Sequence, residues 1–326
     1  MIVCVAGNPS IDKLFEVGRL RPGEIHRPDA FVALPGGKGI HVAQVASALG
    51  ARAVATGVLA GHAGAWVERE LAAQGVAGRF AWGAGETRSS LSVADVRTGR
   101  LTEFYEDGPP ARAQDWSALV ELVRELLEGA AWLALAGSLP AAADVEGYPR
   151  LIAAARAAGV PVALDSRGPA LARALAGGPE LVKINAQEAA ELLGAPVEDV
   201  EQARAAAIEL RARAGGGGHA AAVTLGERGM VLVDPGGGAW HGAVQARGSY
   251  PVGSGDALLA GMLTALVAAE REPRETVGER WRRAAALGLG AAAANAEVRG
   301  AGLLEADRAR ELAARALIAP LASAAD

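Results

Sequence analysis

The 326-residue chain has a single cysteine, Cys4, so no disulfide can form within it and no cysteine-based metal site can be assembled. Aromatic residues make up only 4% of the chain and the formal charge is -5, with no cluster of lysine or arginine. Both the stacking platforms and the basic face that nucleic-acid binding needs are therefore missing. Long apolar runs are missing too. The longest, around Ala130–Ala136 and Ala284–Ala294, fall short of the roughly 20 residues that a membrane helix requires. The opening MIVCVAG carries no basic leader and is interrupted by Gly7, Asn8 and Pro9, so it reads as a buried strand, not a secretory signal. A cytoplasmic protein with no nucleic-acid and no membrane partner is expected. Lysine is nearly absent as well. Only Lys13, Lys38 and Lys183 occur among 32 basic residues, which singles out each of them for attention.

What the sequence does have is rhythm. Short β-rich runs (MIVCVA, AVATGVLA, WLALAG, VPVALD, LVKIN, AAVTLG) alternate with longer alanine-rich segments such as HVAQVASALG, AWVERELAAQG and LIAAARAAG. Strand, helix and strand in repetition imply an α/β fold, with a mostly parallel central sheet flanked by helices on both faces. Two segments break the rhythm by alternating apolar and polar residues, roughly 13–34 and 88–108; the second reads as a hairpin through Thr98-Gly99. They are expected to form a small β lid on one domain spanning residues 1–326.

Four segments carry chemistry. In PVGSGDALLAGMLTAL, Gly253-Ser254-Gly255 runs straight into an apolar helix with Asp256 at its start. A helix N-terminus presents unpaired N–H groups that favour an anion, and a carboxylate beside that anion could accept a proton from an attacking hydroxyl. Asp256 as a mere helix cap is the competing reading. In LPGGKGIHVAQVASALG, Gly36, Gly37 and Gly39 surround Lys38. Gly39 excludes a Walker A loop and Val42 excludes the dinucleotide fingerprint, which leaves either an anion- or sugar-binding turn or a tight packing turn. Asp12, in NPSID directly after the first strand, stands where a carboxylate could hold sugar hydroxyls or could cap a turn. Asn185 and Glu188 open a helix together, either as Mg²⁺-organising oxygens or as a capping pair.

NPSID, GGKGI, GSLP (Gly137–Pro140), N-x-x-E at Asn185, TLGERG (Thr224–Gly229) and VGSGD (Val252–Asp256) follow one another in an order and spacing that resembles the PfkB family of ribokinase-like carbohydrate kinases. The likeness is to the branch of 1-phosphofructokinases, 6-phosphofructokinases and tagatose-6-phosphate kinases. It implies an ATP-dependent sugar kinase acting on a phosphorylated ketohexose. By resemblance, Asp256 is the catalytic base and the amides of Gly253, Ser254 and Gly255 form the anion hole. Asn185 and Glu188, with Asp165, would organise Mg²⁺ through water. Thr224, Gly226 and Gly229 would line the ATP site with Asn185, and Asn295 would lie beside the adenine. Asp12, Gly36 and Gly37 would hold the sugar, while Lys38, Arg88 and Ser138 would take its phosphate. The resemblance also implies a homodimer clasped through the lid, with His26 or Arg27 reaching a neighbour's site.

The chain departs from the family pattern at two sugar-binding positions. His41 and Ser90 stand where asparagine is usual, which bears on the identity of the sugar because the three side chains differ in reach and in donor and acceptor capacity. Two alternatives follow. One is a kinase of an unphosphorylated sugar or nucleoside, which the pair Lys38 and Arg88 disfavours. The other is a non-catalytic sensor of sugar phosphate or nucleotide, which the carboxylate at 256 disfavours.

Overall fold

The computed structural model describes residues 1–140, 146–246, 248–269 and 275–322. From edge to edge the main sheet runs Leu317–Pro320, Ala239–Ala243, Met230–Val233, Ala220–Thr224, Leu181–Asn185, Val162–Asp165, Trp132–Ala136, Ile2–Ala6, Ala53–Ala60 and Ala77–Gly78; Ala81–Gly83 also pairs with Ala53–Ala60. Pairing is parallel from Ala220–Thr224 to Ala77–Gly78. The three strands at the opposite edge are antiparallel, an extension that the sequence rhythm did not announce.

The two-residue period of a strand explains why the central strands are apolar throughout. Ile2, Cys4 and Ala6 enter one hydrophobic core, and Val3 and Val5 enter the other, on the opposite face of the sheet. Trp132, Ala134 and Ala136 divide from Leu133 and Leu135 in the same way. The first core packs the helices Lys38–Ala48, Ser254–Ala269 and Val277–Ala296 against the sheet, and the second packs Ala113–Leu126, Gly147–Ala157 and Val200–Ala214. Ser254–Ala269 is apolar nearly all round and buried along most of its length, which anchors the residues of its first turn. It lies close against Val277–Ala296 because a Cβ at Gly288 would stand only 2.8 Å from the Leu258 carbonyl oxygen.

A second sheet contains Ala30–Gly36, Ser10–Val17, Arg88–Asp95 and Arg100–Tyr105, in that order. Its first strand begins at Ser10, just three residues after Ile2–Ala6 ends, so the second sheet springs from the carboxyl end of the central strand. SIDKLFEV is partly buried along most of its length, and it pairs on both sides, with Ala30–Gly36 antiparallel and Arg88–Asp95 parallel.

Candidate active site

Ligands of open parallel sheets sit beyond the carboxyl ends of the strands. Here Asp165, Asn185 and Thr224 are each the last residue of their strand, and Gly137-Ser138 follows Ala136 directly. Together with the second sheet and the first turn of Ser254–Ala269, these ends enclose a cleft of 2170 Å³. That is well above the roughly 300–1,000 Å³ of a pocket for one small ligand, so two substrates fit side by side.

At the centre of the cleft Asp256 lies in the first turn of its helix, buried but on the cleft wall. The N–H of Ser254 is already given to the Pro251 carbonyl, 3.1 Å away, whereas those of Gly253 and Gly255 have no partner among the described residues. The two glycine amides are thus the ones left to meet an anion. Asp256 Oδ2 is 2.8 Å from His41 Nδ1, and His41 Nε2 is 3.0 Å from Asp12 Oδ2, an ion pair without good hydrogen-bond alignment. Burial alone would lower the pKa of His41, but the two carboxylates outweigh it and push the imidazole up to about 10. Burial would raise Asp12; His41, the Ser10 hydroxyl and Arg88 overcome this and hold it below the ordinary range. Ser10 Oγ donates to Asp12 Oδ1 at 2.6 Å. Gly36 does not line the cleft. It makes room for Asp12, whose Cγ would lie 2.1 Å from a Cβ at that position.

Beside this chain stands a second cluster. Lys38 Nζ donates to Asp165 Oδ1 at 2.7 Å and to Glu188 Oε1 at 3.3 Å, while Lys183 is paired to Asp165 Oδ2. Burial alone would raise Asp165 and lower Lys38, but their opposite charges win in both cases, so Asp165 is held below and Lys38 above its ordinary value. Lys183 Nζ lies directly beneath the anion hole, 2.8 Å from where a Cβ on Gly255 would be. In a chain that has otherwise replaced lysine by arginine, two of the three lysines meet here. The scarcity of lysine was the signal for Lys183, whose role the motif reading left out.

The residues expected around Mg²⁺ are engaged with one another and with lysines. Both oxygens of Asp165 are taken by lysines, and Asn185 and Glu188 form a reciprocal capping box, Glu188 N–H to Asn185 Oδ1 at 2.8 Å and Asn185 N–H to Glu188 Oε2 at 2.9 Å. The other oxygen of Glu188 accepts from Lys38. Each carboxylate oxygen of Asp165 and Glu188 thus has one partner and keeps a lone pair for a metal-bound water, while no group of three His, Cys, Asp or Glu among the described residues could hold a metal ion directly. Lys38, expected at the sugar's phosphate, lines the cleft with its ammonium toward Asp165 and Glu188 and has a third donor left.

At the end of the cleft bounded by the second sheet, Arg88 is fixed by its Nε and Nη2 to the Asn8 carbonyl, each at 3.2 Å, and by Nη1 to Ser90 Oγ at 3.0 Å. The serine that replaces asparagine thus supports the arginine. Ser138 lines the same cleft, and so do Tyr105 and Arg167, which the motifs did not point to. Burial, and to a lesser degree the like charge of Arg167, hold the Arg88 guanidinium below its ordinary value. At the other end Thr224, Gly226 and Gly229 face an apolar floor of Leu289, Ala292 and Ala293. Asn295 is not on that floor. Fully buried, it donates Nδ2 to the Val252 carbonyl at 2.9 Å and to Ser254 Oγ at 3.3 Å, and its Oδ1 accepts from the Gly302 N–H at 3.0 Å. It pins the VGSGD turn to the 300–302 loop instead of meeting an adenine.

Residues 3–307 match the family described as pfkB family carbohydrate kinase. The chain belongs to this family. It is 34% identical over 272 residues to a 1-phosphofructokinase of Rhodobacter capsulatus, covering 81% of this chain and 83% of that one. Phosphofructokinase-2 of Escherichia coli, solved in complex with fructose-6-phosphate, superposes with a TM-score of 0.84 at 27% identity over 96% of this chain and 98% of that chain. A ribokinase of Giardia lamblia at 15% identity, TM-score 0.78 over 95% of this chain and 98% of that chain, shares the fold. The architecture is ribokinase-like, and the protein is an ATP-dependent carbohydrate kinase. Among the described residues no helix is long and apolar enough to cross a membrane.

Proposed function

We propose that the protein transfers the γ-phosphoryl group of ATP to a hydroxyl of a phosphorylated ketohexose, in the manner of a 1-phosphofructokinase. The observation that carries this reading is Asp256, a carboxylate in the first turn of a buried helix, beside two unpaired amides and above Lys183. Asp256 Oδ1, unlike Oδ2, has no partner among the described residues and is the oxygen available to the acceptor. The acceptor oxygen bonds to the γ-phosphorus, its proton passes to Asp256, the bond from phosphorus to the bridging oxygen breaks, and ADP leaves. The amides of Gly253 and Gly255 and the ammonium of Lys183 stabilise the charge on the transferred group, the larger share of catalysis in phosphoryl transfer.

Asp12 and Gly37 meet the sugar, and Arg88 with Ser138 meets its phosphate, with Arg167 close by. Thr224, Gly226 and Gly229 meet the nucleotide over the apolar floor. Asn185, Glu188 and Asp165 would hold Mg²⁺ through its waters, and the ion would neutralise charge on the phosphates of ATP. The second sheet closes over the acceptor and excludes water, and the whole chain works as one kinase domain in the cytoplasm. Exposed Phe31, Phe104 and Tyr105 on that sheet suit a homodimer through the lid. Arg27, or His26 by its Nδ1, would reach the neighbour's sugar-phosphate site, the Nε2 of His26 being engaged 3.0 Å away by Arg21 N in its own loop. A monomeric mass at micromolar concentration would argue against the dimer.

The test is ADP release with Mg-ATP and fructose 1-phosphate, fructose 6-phosphate, tagatose 6-phosphate, fructose, ribose and adenosine in parallel. Turnover confined to the phosphorylated ketoses is expected; turnover only on the neutral acceptors would keep the kinase and remove the phosphate clamp.

A further inference from the structure

His41 is a buried imidazole with no apolar excuse for being there. Both of its nitrogens face carboxylates, Asp12 at 3.0 Å on a strand of the second sheet and Asp256 at 2.8 Å in the first turn of Ser254–Ala269, far apart in the chain. The ring is backed by the 300–302 loop, since a Cβ on Gly302 would lie 2.9 Å from His41 Cδ2, and that loop is itself held by Asn295. The ring therefore cannot swing away without disturbing the turn that presents Gly253 and Gly255. Asp12 is the more open of the two carboxylates, with 23% of its side chain exposed against 7% for Asp256.

We propose that His41 is a positioning residue, an imidazolium wedged between the sugar-facing Asp12 and the proton-accepting Asp256, which couples sugar binding to the aim of the base. With Oδ2 of Asp256 held by Nδ1–H, Oδ1 is turned to the acceptor. A sugar hydroxyl that binds Asp12 changes the pairing at Nε2 and so reaches the base through one rigid ring. Without the imidazolium the two carboxylates lose the cation between them, and Oδ2 of Asp256 loses the donor that fixes it. The other charged groups near the ring do not replace it: Lys38, a turn earlier on the same helix, is engaged by Asp165 and Glu188, Lys183 by Asp165, and Arg88 by the Asn8 carbonyl. The inference rests on Asp256 being the base of the kinase reaction.

The experiment combines kinetics with a titration that needs no turnover. Wild type, His41→Asn and His41→Gln are compared for kcat and for both KM values from pH 6 to 10.5. The expected result is a loss in kcat of about tenfold or more, within the range for a mispositioned base, with KM for ATP unchanged within about twofold. The wild-type profile should fall at its alkaline end as His41 loses its proton near pH 10, and that limb should vanish in the variants. An unchanged kcat and profile, or a loss confined to KM for the sugar phosphate, would overturn the proposal. Independently, nitrogen NMR of the unliganded protein should show an imidazole charged up to about pH 10, falling toward 6.5 in Asp12→Asn or Asp256→Asn. An imidazole that titrates near 6.5 in the wild type overturns the bridge whether or not the protein turns over. Absence of all turnover beside a high-titrating imidazole overturns only the kinase reading and supports the bridge.

Discussion

The two charge clusters that meet at the start of Ser254–Ala269 are built on opposite plans. In one, a single cation, His41, serves two carboxylates, and one oxygen of Asp256 is left over. In the other, Lys38 and Lys183 serve Asp165 and Glu188, and every carboxylate oxygen is occupied. The first cluster is short of protons and can accept one. The second is saturated, and it offers ammonium groups rather than carboxylates to whatever enters the cleft. One cluster is suited to taking a proton and the other to holding phosphoryl charge, and the boundary between them is the anion hole at Gly253 and Gly255.

The largest effect should come from breaking the proton-accepting side. Asp256→Asn keeps the shape and the His41 contact but removes the base, and should lower kcat by roughly 10²–10⁴-fold. ATP binding, followed by calorimetry, should persist. A variant that retains a tenth of wild-type turnover would remove Asp256 from the mechanism.

Breaking the saturated side should cost stability first. Lys183→Met leaves Asp165 buried with only Lys38, and removing one partner of a buried ion pair costs about 3 kcal/mol. A drop in Tm of roughly 4–5 °C would follow for a chain of this size. Asp165→Asn in the same background should recover part of the loss, because the uncompensated charge is then gone. If the double variant is no more stable than Lys183→Met, the pair is not the source of the stability.

How far these clusters were legible in the sequence depends on the distance their contacts span. The α/β order was visible because each strand carries its own apolar pattern, as Ile2–Ala6 does, and each glycine-rich turn is local. The antiparallel edge was not, because Met230–Val233 and Ala239–Ala243 are too short for periodicity to separate them from loops. Asp256 was readable from its turn, but its bond to His41 joins residues 215 positions apart, so a histidine in an asparagine position looked like a substituted sugar contact. The pairing of Asp165, at a strand end, was hidden for the same reason. The lysines that neutralise it lie 127 residues before and 18 after. Asn295, the one amide in an alanine-rich stretch, looked like a ligand residue; its partners, 43, 41 and 7 residues away, make it a brace. Residue type survives in the sequence, and the identity of the partner does not.

A third prediction sharpens the comparison at the acceptor end. Arg88 is the cation whose loss should separate phosphorylated from neutral acceptors, since a charged hydrogen bond to a phosphate is worth about 1.5–3 kcal/mol. Arg88→Ala should raise KM for the sugar phosphate about 10- to 150-fold, with KM for ATP little changed. An equal rise for fructose would show that Arg88 acts by holding the Asn8 carbonyl and the shape of the turn, not by meeting a phosphate.

The smallest expected effect tests whether the second cluster really is saturated. A protein with a preformed metal site is stabilised by its ion and loses that stabilisation to a chelator. Here both oxygens of Asp165 and both of Glu188 are already engaged. Excess EDTA should therefore shift the Tm of the free protein by less than about 1 °C, while added Mg²⁺ without nucleotide should shift it no more. With ATP present, Mg²⁺ should raise Tm, because the ion then arrives on phosphates that Lys183 and the Gly253 and Gly255 amides can meet. A several-degree rise with Mg²⁺ alone would mean that Glu188 gives up Lys38 for the metal, and that the two clusters exchange partners more freely than their separate geometries imply.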